Sequence, residues 1–372
     1  MFINFFNLFN NKLSGKQSSL GLIALNCLNI PPRLQYQTKY TCQAGLIPSP
    51  NQPTMIKIDN VLIPLKIAVK LATLVGDIAA VHKAEGFKSN LATKSFPWCD
   101  FDASNPHKVA LRHPCTGRKV LDAAQSWKDT PSEFSQEKLA MRTGIFWLEL
   151  NYLPYWDPVL NVTLGVMHNW FEGVPKNHFI SQWRFNYINI SQELDNLEAS
   201  ETFQESPGED RNMCTYKEIN NEDSGYLTED IKRRIQEQIC KVIVSKGVTQ
   251  IPPLVGKSQV GKLKASGWNS LFSLYLPMVF LEVMWEIAIN NYTPDLFAML
   301  LNFGALLQCT NIVGAKAIKQ EDSTRFSENY KKYQKTSLKL FPKYQHVPNH
   351  HYAMNIPDQL NVWGPPMGIL EL

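Results

Sequence analysis

Residues 20–28 read LGLIALNCL, residues 41–47 read TCQAGLI and residues 68–77 read AVKLATLVGD. Each run is apolar, is short enough for a strand, and is followed by proline or glycine, which interrupt regular structure. The apolar start, MFINFF, predicts a further strand over 1–5, shortened at its beginning. Residues 59–65 have room only for a short helix. The predicted order is therefore strand, strand, strand, short helix, strand.

The rest of the chain has a helical pattern. We expect helices over 121–127 and 134–141, and an amphipathic helix over 322–340 with its aromatic side chains on one face. Another helix is predicted to begin after the capping residue Thr228 and to end at Gly247. Its apolar residues recur at every fourth position: Leu227, Ile231, Ile235, Ile239 and Ile243.

The segment 189–228 separates these parts. It is acidic and has few large apolar residues, a composition typical of a disordered linker, and we expect limited proteolysis to cut there first. The predicted organisation is an eroded α/β core over 1–100, a helical and aromatic extension over 101–188, this linker, and a helical domain over 229–372. The apolar helices that follow Trp268 are expected to form a second core.

Composition limits the classes of protein. The chain has 372 residues, of which 44% are hydrophobic and 19% charged, enough for roughly two globular domains. A net charge of +4 is compatible with a polyanionic partner but is far below that of a dedicated nucleic-acid-binding domain. Seven cysteines without paired spacing favour a reducing compartment, nuclear or cytoplasmic. The start has no basic segment, so we do not expect secretion.

Two apolar stretches have the length of a membrane-spanning helix, 271–289 and 296–313. The first contains Glu282, Glu286 and Pro277, and polar residues interrupt the second. Such groups are costly in lipid, so buried helices without a membrane are the prediction.

The stretch 144–183, GIFWLELNYLPYWDPVLNVTLGVMHNWFEGVPKNHFISQW, resembles the CACTA-like DNA transposases of basidiomycete fungi. Members of that family carry a W-x-x-L-x-x-L-P-Y-W-D-P element followed by an M-H-N element. The resemblance continues in register along the chain, for example in LVGDIAAVHKAEGF at 74–87, LNFGALLQCTNIVGAK at 301–316 and PNHHYAMNIPDQLNVWGP at 348–365.

The resemblance implies an RNase H-like catalytic domain followed by a mainly α-helical domain. In active relatives, carboxylates of such a domain hold two Mg²⁺ ions about 4 Å apart that activate the nucleophile and stabilise the leaving oxygen. The family's first aspartate aligns with Asn4, an amide that lacks the charge of a bridging carboxylate. The second aligns with Asp77, which without the resemblance would be interpreted as a turn residue after Gly76. We therefore expect an incomplete site that binds no metal.

The chain departs from the family at further positions. The first crossover is shortened after residue 65, and a Cys-x-x-Cys element retains only Cys99, so a zinc site with nearby histidines and Cys115 is not expected. The chain stops at Leu372, before the family's acidic and arginine-containing segment. The final catalytic glutamate therefore has no assigned position, and Glu282 is a candidate only by its place in the sequence.

His168 belongs to the M-H-N element. Many relatives have an aspartate three positions before this histidine, where this chain has Gly165. Two interpretations stay open: a catalytic-site residue, or a core histidine packed between Trp156 and Trp170. For the adjacent pair His350 and His351, packing or capping is favoured over metal binding because adjacent side chains point in different directions.

Contacts with DNA are predicted at a short basic and aromatic cluster, with a solvated loop before a helix as the alternative. Its members are Lys257, Lys262, Lys264 and Trp268. A second basic patch covers 331–343. The aromatic residues Trp147, Tyr155, Trp156 and Trp170 lie where basic residues are scarce, so we expect them to form a structural core and not a base-stacking platform.

Three functions follow as hypotheses. The first is a remnant of a cut-and-paste DNA transposase, catalytically inactive, with residual DNA binding. The second is an active metal-dependent strand transferase or nuclease that uses a substitute carboxylate such as Asp59 or Glu85. The third is a domesticated interaction protein without catalysis.

Overall fold

The structure is a computed structural model that describes residues 2–7, 19–26, 41–47, 71–88, 98, 115–185, 227–252, 255, 263–290, 293–344 and 346–366. The short helix expected over 59–65 lies outside these residues, as do residues 189–226 of the expected linker. Cys99 and the nearby histidines of the zinc hypothesis also lie outside them.

A five-stranded sheet occupies the first half of the chain. Its strands are β1 (Phe2–Asn7), β2 (Ser19–Asn26), β3 (Thr41–Ile47), β4 (Leu74–Gly76) and β5 (Val162–Leu164). They lie in the order β3-β2-β1-β4-β5. β2 is antiparallel to β1 and β3, whereas β4 is parallel to both β1 and β5. The first three predicted strands are confirmed, the fourth is shorter than predicted, and β5 was not predicted.

Helix α1 (Ile78–Glu85) begins directly after β4. The carboxylate of Asp77 accepts a hydrogen bond from the amide of Ala80 at 2.6 Å, which caps the first turn. The helix ends at Gly86, whose φ of 78° favours glycine. A Cβ at Gly86 would also lie 2.2 Å from the carbonyl oxygen of Phe146, so the two chain segments can approach closely only with glycine there.

The extension between β4 and β5 is helical as expected. It contains α2 (Gly117–Lys128), α3 (Glu133–Thr143) and a short 3-10 turn over Glu149–Tyr152. The side chains of Thr116 and Ser132 cap the two helices, which is why each begins where it does. After β5 the chain forms α4 (Val174–Asn177), with a widened π-helical turn on either side at Met167–Phe171 and His178–Gln182.

The second half is helical. It comprises α5 (Glu229–Ile239), α6 (Ala265–Ser270), a π-helical turn over Leu271–Tyr275, α7 (Leu276–Asn290), α8 (Pro294–Val313), α9 (Asp322–Leu340), α10 (Pro348–Ala353) and α11 (Ile356–Trp363). The prediction for α9 is confirmed. The prediction that the helix after Thr228 continues to Gly247 is wrong: α5 ends at Ile239, and Ile243 is 97% exposed. The chain is thus of the mixed α/β class.

One continuous apolar core joins the described parts of the chain, from Leu74 in β4 to Leu360 in α11. Trp170 illustrates the connection: it is fully buried, donates an indole hydrogen bond to Thr310 of α8 at 3.2 Å, and packs against Phe326 of α9. The helices after Trp268 therefore share a core with the first half and do not form a second one. A helical unit that shares its core in this way is expected to unfold together with the sheet.

The predicted aromatic core is confirmed for two of its four members. Trp156 and Trp170 are buried at 3% and 0% exposure. Trp147 is only half-buried, and Tyr155 is 38% exposed. The difference arises because Trp147 packs against Tyr152 at the surface, where the ammonium of Lys128 lies 4.1 Å from the Trp147 ring centroid.

Strand β5 is an edge of the sheet, and side chains from other parts of the chain cover its backbone. The amide of Leu164 donates to the side chain of Gln359 in α11 at 3.0 Å. Trp98 donates its indole N–H to the carbonyl of Val162 at 3.2 Å. These bonds satisfy backbone groups that an uncovered edge strand would leave without partners.

Two helical stretches are long and apolar enough to cross a membrane, Ala265–Ile289 and Pro294–Val313. This is weak evidence, because the core helices of globular proteins meet the same criterion. Much of the second helix is buried inside the protein, including Phe303 and Leu306. The first has an exposed apolar face that contains Met278, Leu281, Trp285 and Ile289.

Candidate functional site

The candidate site lies where the parallel strands β4 and β5 end. Asp77 directly follows β4, and Gly165 directly follows β5. A Cβ at Gly165 would lie 2.4 Å from the carbonyl oxygen of Gly76 and 3.6 Å from the amide of Asp77. The two strand ends therefore touch, and position 165 admits only glycine without a shift of the β4 backbone.

The backbone register brings Asn4 beside Asp77. Ile3 of β1 pairs with Gly76 of β4 in parallel register, so Asn4 and Asp77 are the next residues along the two neighbouring strands. These are the two positions to which the transposase resemblance assigns catalytic aspartates. The structure therefore places both at one point of the sheet, on adjacent strands.

A histidine and a glutamate flank the same place. His168 and Glu172 are joined across the π-helical turn after β5, with 3.0 Å between His168 Nδ1 and Glu172 Oε2. The His168 side chain is 56% exposed and that of Glu172 31% exposed. The alternative of a core histidine between Trp156 and Trp170 is therefore wrong. Glu172 was not singled out from the sequence, although its spacing four residues after His168 matches one helical turn.

The ionisation of this pair is coupled. The hydrogen bond to Glu172 raises the pKa of His168 against the opposing effect of burial, and the nearby charges of Glu172 and Asp77 raise it further. Burial alone would raise the pKa of Glu172. The hydrogen bond to His168, the positive charge of His168 and the hydrogen bond from the backbone of Ala265 outweigh burial, so the pKa of Glu172 is lowered overall. The pair therefore favours a positively charged His168 beside a negatively charged Glu172, and the negative charge of Asp77 also stabilises the charged form of His168.

The transposase resemblance implies a site for two Mg²⁺ ions near Asp77. Among the described residues, no three His, Cys, Asp or Glu side chains converge as a metal site would require. One oxygen of Asp77 is engaged as the helix cap, and position 4 has an amide where a bridging carboxylate is needed. The described residues near Asp77 therefore do not supply the set of carboxylates that a two-metal site requires.

The substitute carboxylate Glu85 lies at the opposite end of α1 from Asp77. Eight residues of helix separate the two by about 12 Å, three times the spacing of a metal pair. Glu85 is buried at 2% exposure and accepts a hydrogen bond from the indole of Trp156 at 3.1 Å. Burial raises the pKa of Glu85 to about 8, so the group is mainly protonated at neutral pH. The other proposed substitute, Asp59, lies outside the described residues.

The remaining candidates are not brought to this site. Glu282 is exposed on α7, and no described contact connects it to Asp77. Trp268 is buried at 3% exposure against Phe179, so its ring is not available for base stacking. Lys264 is exposed and precedes α6, while Lys257 and Lys262 lie outside the described residues.

Other histidines among the described residues are buried. His350 and His351 of α10 are buried, at 0% and 2% exposure. His178 is also fully buried and its Nδ1 lies 2.7 Å from the amide oxygen of Gln182. Burial lowers the pKa of His178 to about 3 and holds that of His350 well below its ordinary value. The imidazoles of His178 and His350 are therefore neutral parts of the core.

Comparison with known proteins adds no family to this description. No protein-family model matches the chain, and no curated protein matches it.

Proposed function

We propose that this chain is the remnant of a cut-and-paste DNA transposase whose first half is an incomplete RNase H-like domain, and that it binds DNA without cutting it. The observation that carries the proposal is the placement of Asn4 beside Asp77 on neighbouring strands. The resemblance assigned catalytic aspartates to these two positions from sequence motifs alone. That these two positions are neighbours across the pairing of β1 and β4 supports the assignment.

The sheet supports the class of domain. Three antiparallel strands come first in the chain, and the next two strands join in parallel on the side of β1, in the order β3-β2-β1-β4-β5. An RNase H-like domain has this arrangement, with its first acidic position on the central β1 and its second after β4. Helix α1 follows the second position immediately, so Asp77 serves here as a cap.

The proposed loss of catalysis rests on charge. Two-metal phosphoryl transfer requires several carboxylates that share the ions, and a neutral amide at position 4 removes one negative charge from that set. Glu85 cannot replace it because of its distance from Asp77 and its hydrogen bond to Trp156. The hypothesis of an active strand transferase therefore lacks its carboxylate among the described residues. A domesticated interaction protein would differ from the remnant only in its use by the cell.

The test is a nicking and strand-transfer assay on supercoiled plasmid with Mg²⁺ or Mn²⁺. We expect no metal-dependent nicking above the background without protein. The matched control is Asp77→Asn, which retains a capping side chain and removes the charge. Metal-dependent nicking by the parent chain that disappears in Asp77→Asn would overturn the proposal in favour of the active enzyme.

A restoration variant addresses the same charge from the other side. Asn4→Asp returns a carboxylate next to Asp77, yet we expect no nicking from it. Among the described residues the other carboxylate at this place, Glu172, is engaged with His168, and no three acidic, histidine or cysteine side chains converge there. Activity in Asn4→Asp that is absent from the parent and from Asn4→Ala would show that a single substitution inactivated the site. The proposal of a more extensively eroded site would then be wrong.

A further inference from the structure

Helix α9 carries a strongly basic surface in its second half. Residues 331–344 read KKYQKTSLKLFPKY, with five lysines and no acidic residue. Four of these lysines lie on the helix and are exposed: Lys331, Lys332, Lys335 and Lys339. Lys331, Lys335 and Lys339 follow one another at intervals of four residues and therefore form a row along one side of the helix. We call these four residues the lysine face.

The opposite side of α9 fixes the helix to the protein. Phe326, Tyr330 and Tyr333 are buried, and the hydroxyl of Tyr330 donates to the carbonyl of His350 at 2.7 Å. The side-chain amide of Asn302 in α8 donates to the carbonyl of Tyr333 at 3.0 Å. The lysine face therefore projects from a rigid support and not from a mobile loop.

Local charges do not neutralise the lysine face. None of the ion pairs among the described residues includes its four lysines. Favourable interaction with the helix dipole accounts for a cation in the last turn, such as Lys339, but not for a row that begins two turns earlier. Glu328 is the nearest acidic residue along the helix and lies one turn before Lys331.

The spacing and the neighbours of the lysines indicate the partner. Side chains four residues apart on a helix lie about 5–6 Å from one another, while duplex DNA carries a charge for every ~1.7 Å of its axis. A row of lysines can therefore meet several phosphates at once. Among the large apolar residues of this part of α9 only Leu338 is markedly exposed, at 49%, and the tyrosines are buried, so the face has no means to stack on bases or to enter a lipid layer.

We propose that the lysine face of α9 binds the phosphate backbone of double-stranded DNA without regard to sequence. This deepens the proposed function, since it assigns the residual DNA binding to a surface on the helical half, away from Asp77. It also replaces the cluster around Trp268, whose ring is buried. Backbone contacts of this kind place a protein on a duplex but do not read its bases.

The experiment measures binding of the full chain to two labelled duplexes of unrelated sequence by fluorescence anisotropy, over salt concentrations from about 50 to about 200 mM. The test variant replaces Lys331, Lys335 and Lys339 by Gln. The control variant replaces three other exposed lysines by Gln: Lys119, Lys241 and Lys246. It therefore changes the net charge by the same amount as the test variant. A third variant has arginine at the three α9 positions and retains the charge.

We expect the parent to bind both duplexes equally. The steepness with which the logarithm of its binding constant falls with the logarithm of the salt concentration should decrease by about 2 to 3 in the test variant, because each lost phosphate contact removes about 0.9. Its affinity at about 100 mM salt should fall at least ten-fold. The control and arginine variants should bind like the parent. Thermal melting of every variant establishes that each is folded, and the side chains replaced in the test and arginine variants are all on the solvent side of α9.

Four outcomes would overturn this assignment. Equal losses in the test and control variants would show a response to net charge alone. An unchanged test variant would place DNA binding elsewhere and leave the proposed function intact, whereas a parent that binds no duplex would remove both. Sedimentation with phosphatidylserine vesicles that depends on the same three lysines, without binding to duplex, would assign the face to a membrane surface.

Discussion

Glu85 is a carboxyl group in the core whose charged form is disfavoured. Its exposure is 2%, one oxygen accepts from Trp156, and the other has no hydrogen-bond partner. The folded state therefore holds the group protonated up to a pKa of about 8, whereas the unfolded chain ionises it near 4.5. Because the pKa of Glu85 is raised on folding, the stability that comes from its protonated form is complete below about pH 4.5. That stability is lost as the pH rises to about 8.

The variant Glu85→Gln tests this conflict between burial and charge. Glutamine retains an oxygen that can accept from the Trp156 indole and does not ionise. Each pKa unit corresponds to about 1.4 kcal/mol, so at pH 8 we expect the variant to increase the free energy of unfolding by about 4 kcal/mol. At pH 4.5 we expect it to change the free energy of unfolding little. Urea unfolding at the two pH values measures the difference. An equal effect at both would mean that Glu85 is not protonated in the core.

Trp156 contributes to stability through its size as well as through that bond. It is 3% exposed, and its replacement by alanine would leave a large cavity beside Glu85. We expect Trp156→Ala to lower the free energy of unfolding by about 3 to 5 kcal/mol, as for other buried aromatic residues. The control is Leu160→Ala in the same segment, where the side chain is 56% exposed and a change within about 0.5 kcal/mol is expected.

DNA affinity separates this role from a binding surface. The Trp156→Ala variant, studied below its melting temperature, should bind duplex DNA like the parent. A variant that melted like the parent but lost affinity would show that Trp156 is part of a binding surface.

The edge strand β5 depends on a side chain almost two hundred residues away. The Leu164 amide is in a fully buried residue, and Gln359 of α11 supplies its acceptor. We expect Gln359→Met, which has a similar volume but no amide oxygen, to lower the free energy of unfolding by about 1 to 3 kcal/mol. Gln359→Glu retains an acceptor and serves as the control. Faster hydrogen exchange at Leu164 in the methionine variant alone would identify the bond as the cause.

At the level of elements, local patterns in the sequence predicted most of what the structure shows. The apolar runs predicted β1, β2 and β3. Thr228 predicted the start of α5, and the amphipathic pattern with its aromatic residues predicted both ends of α9. β5 was missed because three residues are too few for a periodic pattern. The end of α5 was missed because Ile243 continues the four-residue repeat, although it is 97% exposed and packs against nothing.

The site was less accessible to sequence reasoning for a physical reason. Motifs selected Asn4, Asp77 and His168, and the sheet brings the first two together. Whether a side chain is buried depends on distant parts of the chain. His168 was therefore weighed equally as a core residue, and Trp268 was proposed for DNA although Phe179 covers it. Glu172 was overlooked because its importance comes from its contact with His168.

For the whole molecule, three buried imidazoles predict sensitivity to acid. Burial lowers the pKa of His82 to about 4 and that of His178 to about 3, and it also lowers that of His350. Because these values are lowered on folding, the stability they confer is complete above about pH 6.5 and is lost as the pH falls towards 4. The effect of Glu85 has the opposite sign over part of this range, so the Glu85→Gln background removes that contribution.

In that background we expect the free energy of unfolding to fall by about 2 kcal/mol for each histidine between pH 7 and pH 5. Urea unfolding followed by tryptophan fluorescence measures the loss. Each unfolding event should also take up protons over this range, which calorimetry in buffers of different ionisation enthalpy can count. Stability that is constant from pH 7 to pH 5 would contradict the neutral state of these histidines.

The contact between Gly165 and Gly76 has a consequence for the history of the chain. The resemblance places an aspartate at position 165 in many relatives, yet here even a Cβ at that position would meet the Gly76 carbonyl at 2.4 Å. On the proposed descent from a transposase, a substitution that restored aspartate at position 165 would therefore collide with β4 before its carboxylate could act. The proposed loss would be entrenched, because the β4 backbone lies where a side chain at position 165 would have to be, and reversion would require a prior change that moves one strand away from the other. Selection acting one substitution at a time would then have no direct route back.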